Sequence, residues 1–325
     1  MILFVAFSLR FSLVNLATAM VFLTQIERIY SPIRQLSSKI AVLQQAMAAL
    51  ERVFDLLNNQ ARIPQGEGIL TGKALDIRFQ DVAFRYSEDG PLVLDNINFE
   101  VKPGQTLALV GQTGSGKSTI TKLLTRAYDG YEGRVEVDGR DLRTLNYHSL
   151  RAHIAMVHQD VELFPGTLRD NIAMFHGHIS DEDIMKAVTL VKADHMVAQL
   201  PGGLDFQVVE SGGNLSAGQK QLIIFARALA HDAPVVLMDE ATSSVDSVTE
   251  AWIQEAIAAI IKHKTVIVVA HRLSTITAAD QILVLKGGRV IEQGNHHSLL
   301  AIENGYYAGL VTASKLHGEE AHLLV

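Results

Sequence analysis

The run Gly111-Gln112-Thr113-Gly114-Ser115-Gly116-Lys117-Ser118 constrains this chain more than any other feature. It fits G-x-x-x-x-G-K-[ST], lies directly behind the apolar stretch Leu107–Val110 and runs into a predicted helix, Ser118–Thr125. Its glycines let backbone N–H groups turn inward around phosphate oxygens, and the helix N-terminus adds the positive end of its dipole. Lys117 supplies a point charge for the terminal phosphates, and Ser118 offers a hydroxyl to Mg2+. A strand–loop–helix of this kind belongs in a parallel sheet covered by helices.

The rest of the second region agrees. Val235–Met238 and Val266–Ala270 are short, continuous apolar runs suited to strands buried on both faces. Leu75–Tyr86 and Leu92–Val101, around a Glu88-Asp89-Gly90-Pro91 turn, are predicted to pair antiparallel. Helical stretches lie between the apolar runs, so the class is α/β. The run Val235–Met238 leads into Asp239 and Glu240, two carboxylates at the strand end where such sheets bind ligands. Asp239 is placed to hold Mg2+ and Glu240 to accept a proton from an attacking water. With 48% hydrophobic and 19% charged residues the chain can bury a core, which excludes a disordered protein. The absence of cysteine excludes disulfides, thiolate metal sites and cysteine nucleophiles. His176, His178, His296 and His297 show no ligand spacing and are assigned surface or capping roles.

The N-terminal region is of another kind. Met1 to Leu23 is nearly all apolar or small, about the length of a membrane-spanning helix, with Arg10 as its one charge. Ile26, Ile29, Ile33, Leu36, Ile40, Leu43, Met47, Leu50, Phe54 and Leu57 follow a 3-4-3-4 spacing, which predicts a long helix with one apolar stripe. Pro32 is expected to kink or restart it near Tyr30. Asn58 to Gly68, with Pro64, Gly66 and Gly68, reads as a linker. Residues 1–57 carry five basic and three acidic groups, net +2, which leaves −9 for the rest of a chain of net charge −7. Arg28, Arg34 and Lys39 place the downstream side in the cytoplasm.

Leu215-Ser216-Ala217-Gly218-Gln219, ahead of a predicted helix Gln219–Ala230, resembles the LSGGQ signature of the ABC ATPases. Phosphate loop, signature and Asp-Glu strand in this order resemble the nucleotide-binding domain of an exporter-type ABC transporter, in which the ATPase is fused behind a membrane domain. The implied fold is a P-loop NTPase with a parallel-sheet core, an antiparallel β subdomain and a helical subdomain, preceded by a long transmembrane and cytoplasmic helix. The implied division is residues 1–57 as the last transmembrane helix with its cytoplasmic extension, 58–73 as linker, 74–312 as the ATP-binding domain and 313–325 as a tail. That is far fewer spans than the resemblance implies for an exporter half, so 1–57 is expected to be part of a longer membrane domain.

The resemblance also assigns residues. Tyr86 matches the aromatic that stacks on adenine, and Gly111 through Ser118 with Thr119 match the nucleotide-binding loop. Gln159 matches the glutamine that contacts Mg2+ or the attacking water, so the implied metal set is Ser118, Gln159 and Asp239. His271 matches the histidine at the γ-phosphate, and Glu240, His271 and Gln159 form the implied catalytic set. Leu215, Ser216, Ala217, Gly218 and Gln219 would face the ATP held by a partner, and Asp246 would lie at the dimer interface. Glu210 and the run from Leu163 to Ile172 resemble the surface beneath the coupling helices. Ala217 stands where the family usually has glycine; Ser216 and Gly218 are intact, and function is expected to be retained. The implied activity is hydrolysis of ATP with Mg2+, coupled to export across a cell membrane, with the ATPase on the cytoplasmic side. The implied partners are a second half-transporter, the lipid bilayer and an exported substrate, with no nucleic acid. Two alternatives stand beside it: a soluble ABC ATPase acting on nucleic acid or ribosomes, and a largely non-hydrolysing regulatory half of a heterodimer.

Overall fold

The buried strands Thr106–Val110, Val235–Asp239, Thr265–Val269 and Gln281–Lys286 carry apolar side chains at successive positions because two cores meet on their sheet. Ala108, Val110, Val236, Met238, Val266, Val268, Ile282 and Val284 pack into one core. Their neighbours Leu107, Leu109, Val235, Leu237, Ile267, Val269, Leu283 and Leu285 pack into the other. Side chains alternate faces along a strand, so a strand covered on both sides must be apolar throughout.

This computed structural model describes residues 16–58, 63–158, 162–175, 179–239, 247–270 and 273–316. In chain order, helix α1 is Leu16–Asn58, strands β1, β2 and β3 are Ile77–Phe84, Leu94–Val101 and Thr106–Val110, and α2 is Lys117–Leu124. Then come β4 (Tyr131–Val137), β5 (Arg140–Asp141), α3 (Tyr147–His153), β6 (Ile154–Val157), β7 (Gly166–Thr167), α4 (Leu168–Ala173), α5 (Asp181–Leu190) and α6 (Asp194–Gln199). The chain continues through β8 (Gln207–Val208), α7 (Ala217–Ala230), β9 (Val235–Asp239), α8 (Ser247–His263), β10 (Thr265–Val269), α9 (Leu273–Thr277), β11 (Gln281–Lys286), β12 (Arg289–Gly294), α10 (His296–Leu300) and α11 (Tyr306–Leu316).

The chain divides into two units, residues 1–62 and 63–325. In the larger unit six strands lie in the order β12-β11-β3-β10-β9-β6, parallel except for β12. A second sheet, β2-β1-β4-β5, is antiparallel. Its buried side chains, among them Ile77, Phe79, Leu94 and Val135, join the core on one face of the large sheet. Helices α5, α7 and α8 contribute Ile184, Leu222 and Ile257 to the core on the other face. The parallel core, the antiparallel subdomain and the helical layer thus match the fold expected from the sequence.

The predicted linker has a different character. From Ile63 onward it belongs to the larger unit. Gly68 bridges Leu145, with its N–H donating to Thr144 O at 2.9 Å and its carbonyl accepting from Asn146 N at 2.7 Å. A Cβ on Gly66 would stand 2.1 Å from Thr144 O, so only glycine lets the two backbones pass this closely. Leu70 is buried, and its N–H donates to Ser149 Oγ at 2.8 Å. Arg126 fastens the segment from beneath. Its guanidinium is completely buried, pairs with Asp129 at 2.8 Å, and donates to Leu145 O at 2.7 Å and Pro64 O at 2.6 Å.

In the smaller unit, α1 spans 43 residues, about 65 Å at 1.5 Å per residue. Ile29, Ile33, Leu36, Ile40, Leu43, Met47, Leu50, Phe54 and Leu57 are exposed along it. The helix does not restart near Tyr30, because Pro32 lies inside one continuous element. Proline deletes one rung of the hydrogen-bond ladder, which a helix with this many rungs tolerates. The side-chain hydroxyls of Thr24, Ser37 and Ser38 bond back to carbonyls of the preceding turn. Among the described residues no helix is long and apolar enough to cross a membrane. Most of the predicted span, residues 1–15, lies outside the described residues.

Candidate nucleotide site

Strand β3 ends at Val110 and α2 begins at Lys117, so residues 111–116 form the loop between a buried strand and a helix start. Two glycines in it are required by contact as well as by conformation. Gly111 has φ +154°, and a Cβ there would sit 2.2 Å from Leu285 O. Gly116, at the helix N-cap with φ +104°, would meet Leu94 Cδ2 at 2.6 Å and Val93 O at 3.0 Å. No side chain caps α2 at Gly116, so its first N–H groups are left for a ligand.

Lys117 folds back into this loop. Its ammonium donates to Gly111 O at 2.5 Å and Gln112 O at 3.0 Å, and burial lowers its pKa, with Asp239 pulling in the opposite direction. The Ser115 hydroxyl is buried and makes no hydrogen bond among the described residues. Thr119, on the first turn of α2, shares a 3.0 Å hydrogen bond with the Tyr86 hydroxyl. Tyr86 lies two residues beyond the end of β1 and is 46% exposed.

Asp239 closes β9, next to β10, which in turn pairs with β3. It therefore reaches the same C-terminal edge of the sheet as the loop. A cavity of about 340 Å3 is bordered by Tyr86, Thr113, Lys117, Ser118, Thr119 and Asp239. Ser118 and Asp239 also border a neighbouring cavity of about 620 Å3, which Arg151, His158 and Arg227 line. The hydroxyl of Ser118 and the carboxylate of Asp239 are hard oxygen donors at one opening, the donor type that suits Mg2+.

The signature run lies at another helix start. Ser216 caps α7, its Oγ accepting from Gln219 N at 3.2 Å while Gln219 Oε1 accepts from Ser216 N at 2.9 Å. Leu215 and Gly218 are buried, whereas Ser216 and Ala217 are exposed. The Ala217 methyl therefore lies outside the core. Glu210 is exposed on a short turn, Glu210–Gly212, whose Ser211 carbonyl accepts from Lys220 Nζ at 2.8 Å. Gln159, Glu240, Asp246 and His271 lie outside the described residues, as do His176 and His178. His296 Nδ1 pairs with the Tyr307 hydroxyl at 2.7 Å.

Sequence reasoning assigned Tyr86, Gly111 to Thr119 and Asp239 to one site; of these, Tyr86, Thr113, Gly114, Gly116, Lys117, Ser118, Thr119 and Asp239 border one cavity, and Gly111, Gln112 and Ser115 do not. Sequence reasoning missed Arg126 and Tyr128. Neither belongs to a motif, and both act through contacts to residues distant in the chain.

The profile of the ABC transporter family matches residues 94–243, which contain the loop, the signature and the Asp-Glu strand. The chain is 40% identical over 295 residues to a probable multidrug resistance ABC transporter ATP-binding/permease protein, YheH, of Bacillus subtilis, covering 91% of this chain and 44% of that one. The chain belongs to the ABC transporter family. An ATP-dependent lipid A-core flippase of Saccharophagus degradans is 42% identical over 292 residues, covering 90% of this ABC transporter chain and 50% of the flippase. Among solved structures, a bacterial Atm1-family ABC exporter with ATP bound superposes with a TM-score of 0.74 at 36% identity, covering 94% of this chain and 53% of that one. This ABC transporter chain thus spans about half the length of the relatives it matches, taking in the nucleotide-binding domain and part of the membrane region.

Proposed function

We propose that this chain binds and hydrolyses ATP as the motor of an ABC exporter. The observation that carries the reading is the convergence of an open helix N-terminus, a buried ammonium, a hydroxyl–carboxylate pair and an aromatic ring around one cavity. The triphosphate would occupy the loop, where Lys117 exchanges its two carbonyl partners for phosphate oxygens. The base would lie on the cavity side of Tyr86. Mg2+, held by Ser118 and Asp239 together with Gln159, would screen the charge on the terminal phosphates. Glu240, directly after Asp239, would take the proton of the attacking water, and His271 would hydrogen-bond the γ-phosphate.

The exposed start of α7 supports a head-to-tail arrangement with a second half-transporter. Ser216 and Ala217 present the positive end of a 14-residue helix, suited to the γ-phosphate on a partner chain. Asp246 would lie at that interface and Glu210 at the membrane-domain side. ATP binding would close the pair and hydrolysis release it, moving the helices that continue from α1 into the bilayer, with the ATPase in the cytoplasm.

Equilibrium binding of ATP with Mg2+ tests the site. Lys117→Ala is expected to weaken binding at least about 100-fold, the scale of losing a charge-assisted contact in a partly buried site. Wild-type affinity in that variant would move the phosphates elsewhere.

A further inference from the structure

The Tyr86 ring is held from several sides. Its hydroxyl is tied to Thr119 Oγ1 at 3.0 Å. Phe84 meets it edge-on, with centroids 5.0 Å apart at 83°, and Tyr128 does the same at 5.1 Å and 79°. The ammonium of Lys122 lies over the ring, 5.6 Å from its centroid. Tyr86 borders the 340 Å3 cavity, whereas Tyr128, Phe84 and Lys122 do not. Lys122 borders the separate 620 Å3 cavity instead. The supports therefore stand away from the nucleotide cavity, and the ring keeps its cavity side open.

Their placement in the chain explains why such supports are needed. Tyr86 lies in a bend past the end of β1, where no strand ladder fixes its χ angles. Thr119 and Lys122 sit three residues apart on α2, on one side of the helix that starts at the phosphate loop. Tyr128 follows by two residues the left-handed Arg126, whose four hydrogen bonds anchor that turn. The ring is thereby indexed to the phosphate loop at one end and to a rigid turn at the other.

We infer that Tyr128 and Lys122 are positioning residues that hold the Tyr86 ring in register with the phosphate loop, so that a nucleoside triphosphate is gripped at base and phosphates together. This rests on the nucleotide reading above. A flat platform contributes to stacking only when its plane is fixed before the base arrives, because ordering it on binding consumes part of the gain. Lys122 also has an electrostatic effect, its ammonium attracted to the π-face of the ring.

The test compares ATP with inorganic triphosphate, both with Mg2+, by calorimetric titration of the full 325-residue chain. Wild type is expected to bind ATP more tightly than triphosphate. Tyr128→Ala and Lys122→Met are each expected to weaken ATP about three- to tenfold while leaving triphosphate within about twofold, the range of single aromatic and cation–π contacts. Tyr128→Phe, which keeps the ring, is expected to bind like wild type. Lys122 is exposed, so its variant is not expected to disturb folding. Equal losses for both ligands, or no loss of ATP affinity, would overturn the positioning role. A wild-type chain that binds ATP no tighter than triphosphate would instead overturn the nucleobase reading of Tyr86, before any variant is compared.

Discussion

Lys117 is at once the best-advertised residue of the sequence and the one whose environment only the structure reveals. The motif names it, but its withdrawal onto Gly111 O and Gln112 O depends on how the loop closes. Burial lowers its pKa, so the folded, ligand-free chain releases this proton at a lower pH than the unfolded chain does. Two consequences have opposite signs. Stability of the ligand-free chain gains from this group as pH rises from the folded pKa toward the ordinary lysine value, because the unfolded state binds more protons there. Triphosphate affinity falls over the same interval, because the phosphates are held by the protonated form. In titrations across pH, ATP binding should weaken at a lower pH than loss of the proton from an ordinary lysine would produce; weakening that begins only in the ordinary lysine range would contradict the lowered pKa. Arg126 is the converse case, invisible in the sequence because its partners lie as far off as Pro64. Arg126→Met leaves Asp129 and two carbonyls without their donor, and should cost about 3 kcal/mol or more in denaturant unfolding.

Among the elements, those legible in the sequence are the ones whose pattern is local. The continuous apolar runs became the parallel strands, since only a sheet buried on both faces needs them. Leu109, completely buried in β3, should cost about 2–5 kcal/mol when replaced by alanine, measurable as a lowered unfolding midpoint. The segment before β1 was read as a linker because proline and glycine mark turns, yet the same residues let the chain lie flat against the turn at Thr144. Composition does not distinguish a free glycine from one required by a close approach. Gly66→Ala should lift this strap, and the Gly68 and Asn146 amides, which hold it by backbone hydrogen bonds, should then exchange hydrogen faster. Unchanged protection would mean that the strap tolerates a side chain at Gly66. At Pro32, where a kink or a restart was expected, the helix does not restart, because it continues when the remaining rungs suffice.

The whole molecule is a nucleotide-binding domain of the ABC transporter family joined to part of a membrane region. Order along the chain made this legible: phosphate loop, signature and Asp-Glu strand occur in sequence, and the profile of the ABC transporter family matches across them. The mean hydropathy of +0.18 blends an apolar N-terminal region with an ordinary α/β domain and describes neither. Less legible was how Tyr86 is tied to the helix that follows the phosphate loop, because Tyr86, Thr119 and Tyr128 meet only once two sheets and a helix have packed. The central claim, that this domain hydrolyses the ATP it binds using the carboxylate after Asp239, is tested most directly by Glu240→Gln. ATP binding and phosphate release would be measured on the same preparation. The account predicts ATP affinity close to wild type with phosphate release reduced at least about 100-fold, the scale of losing a general base. Phosphate release at the wild-type rate would contradict it.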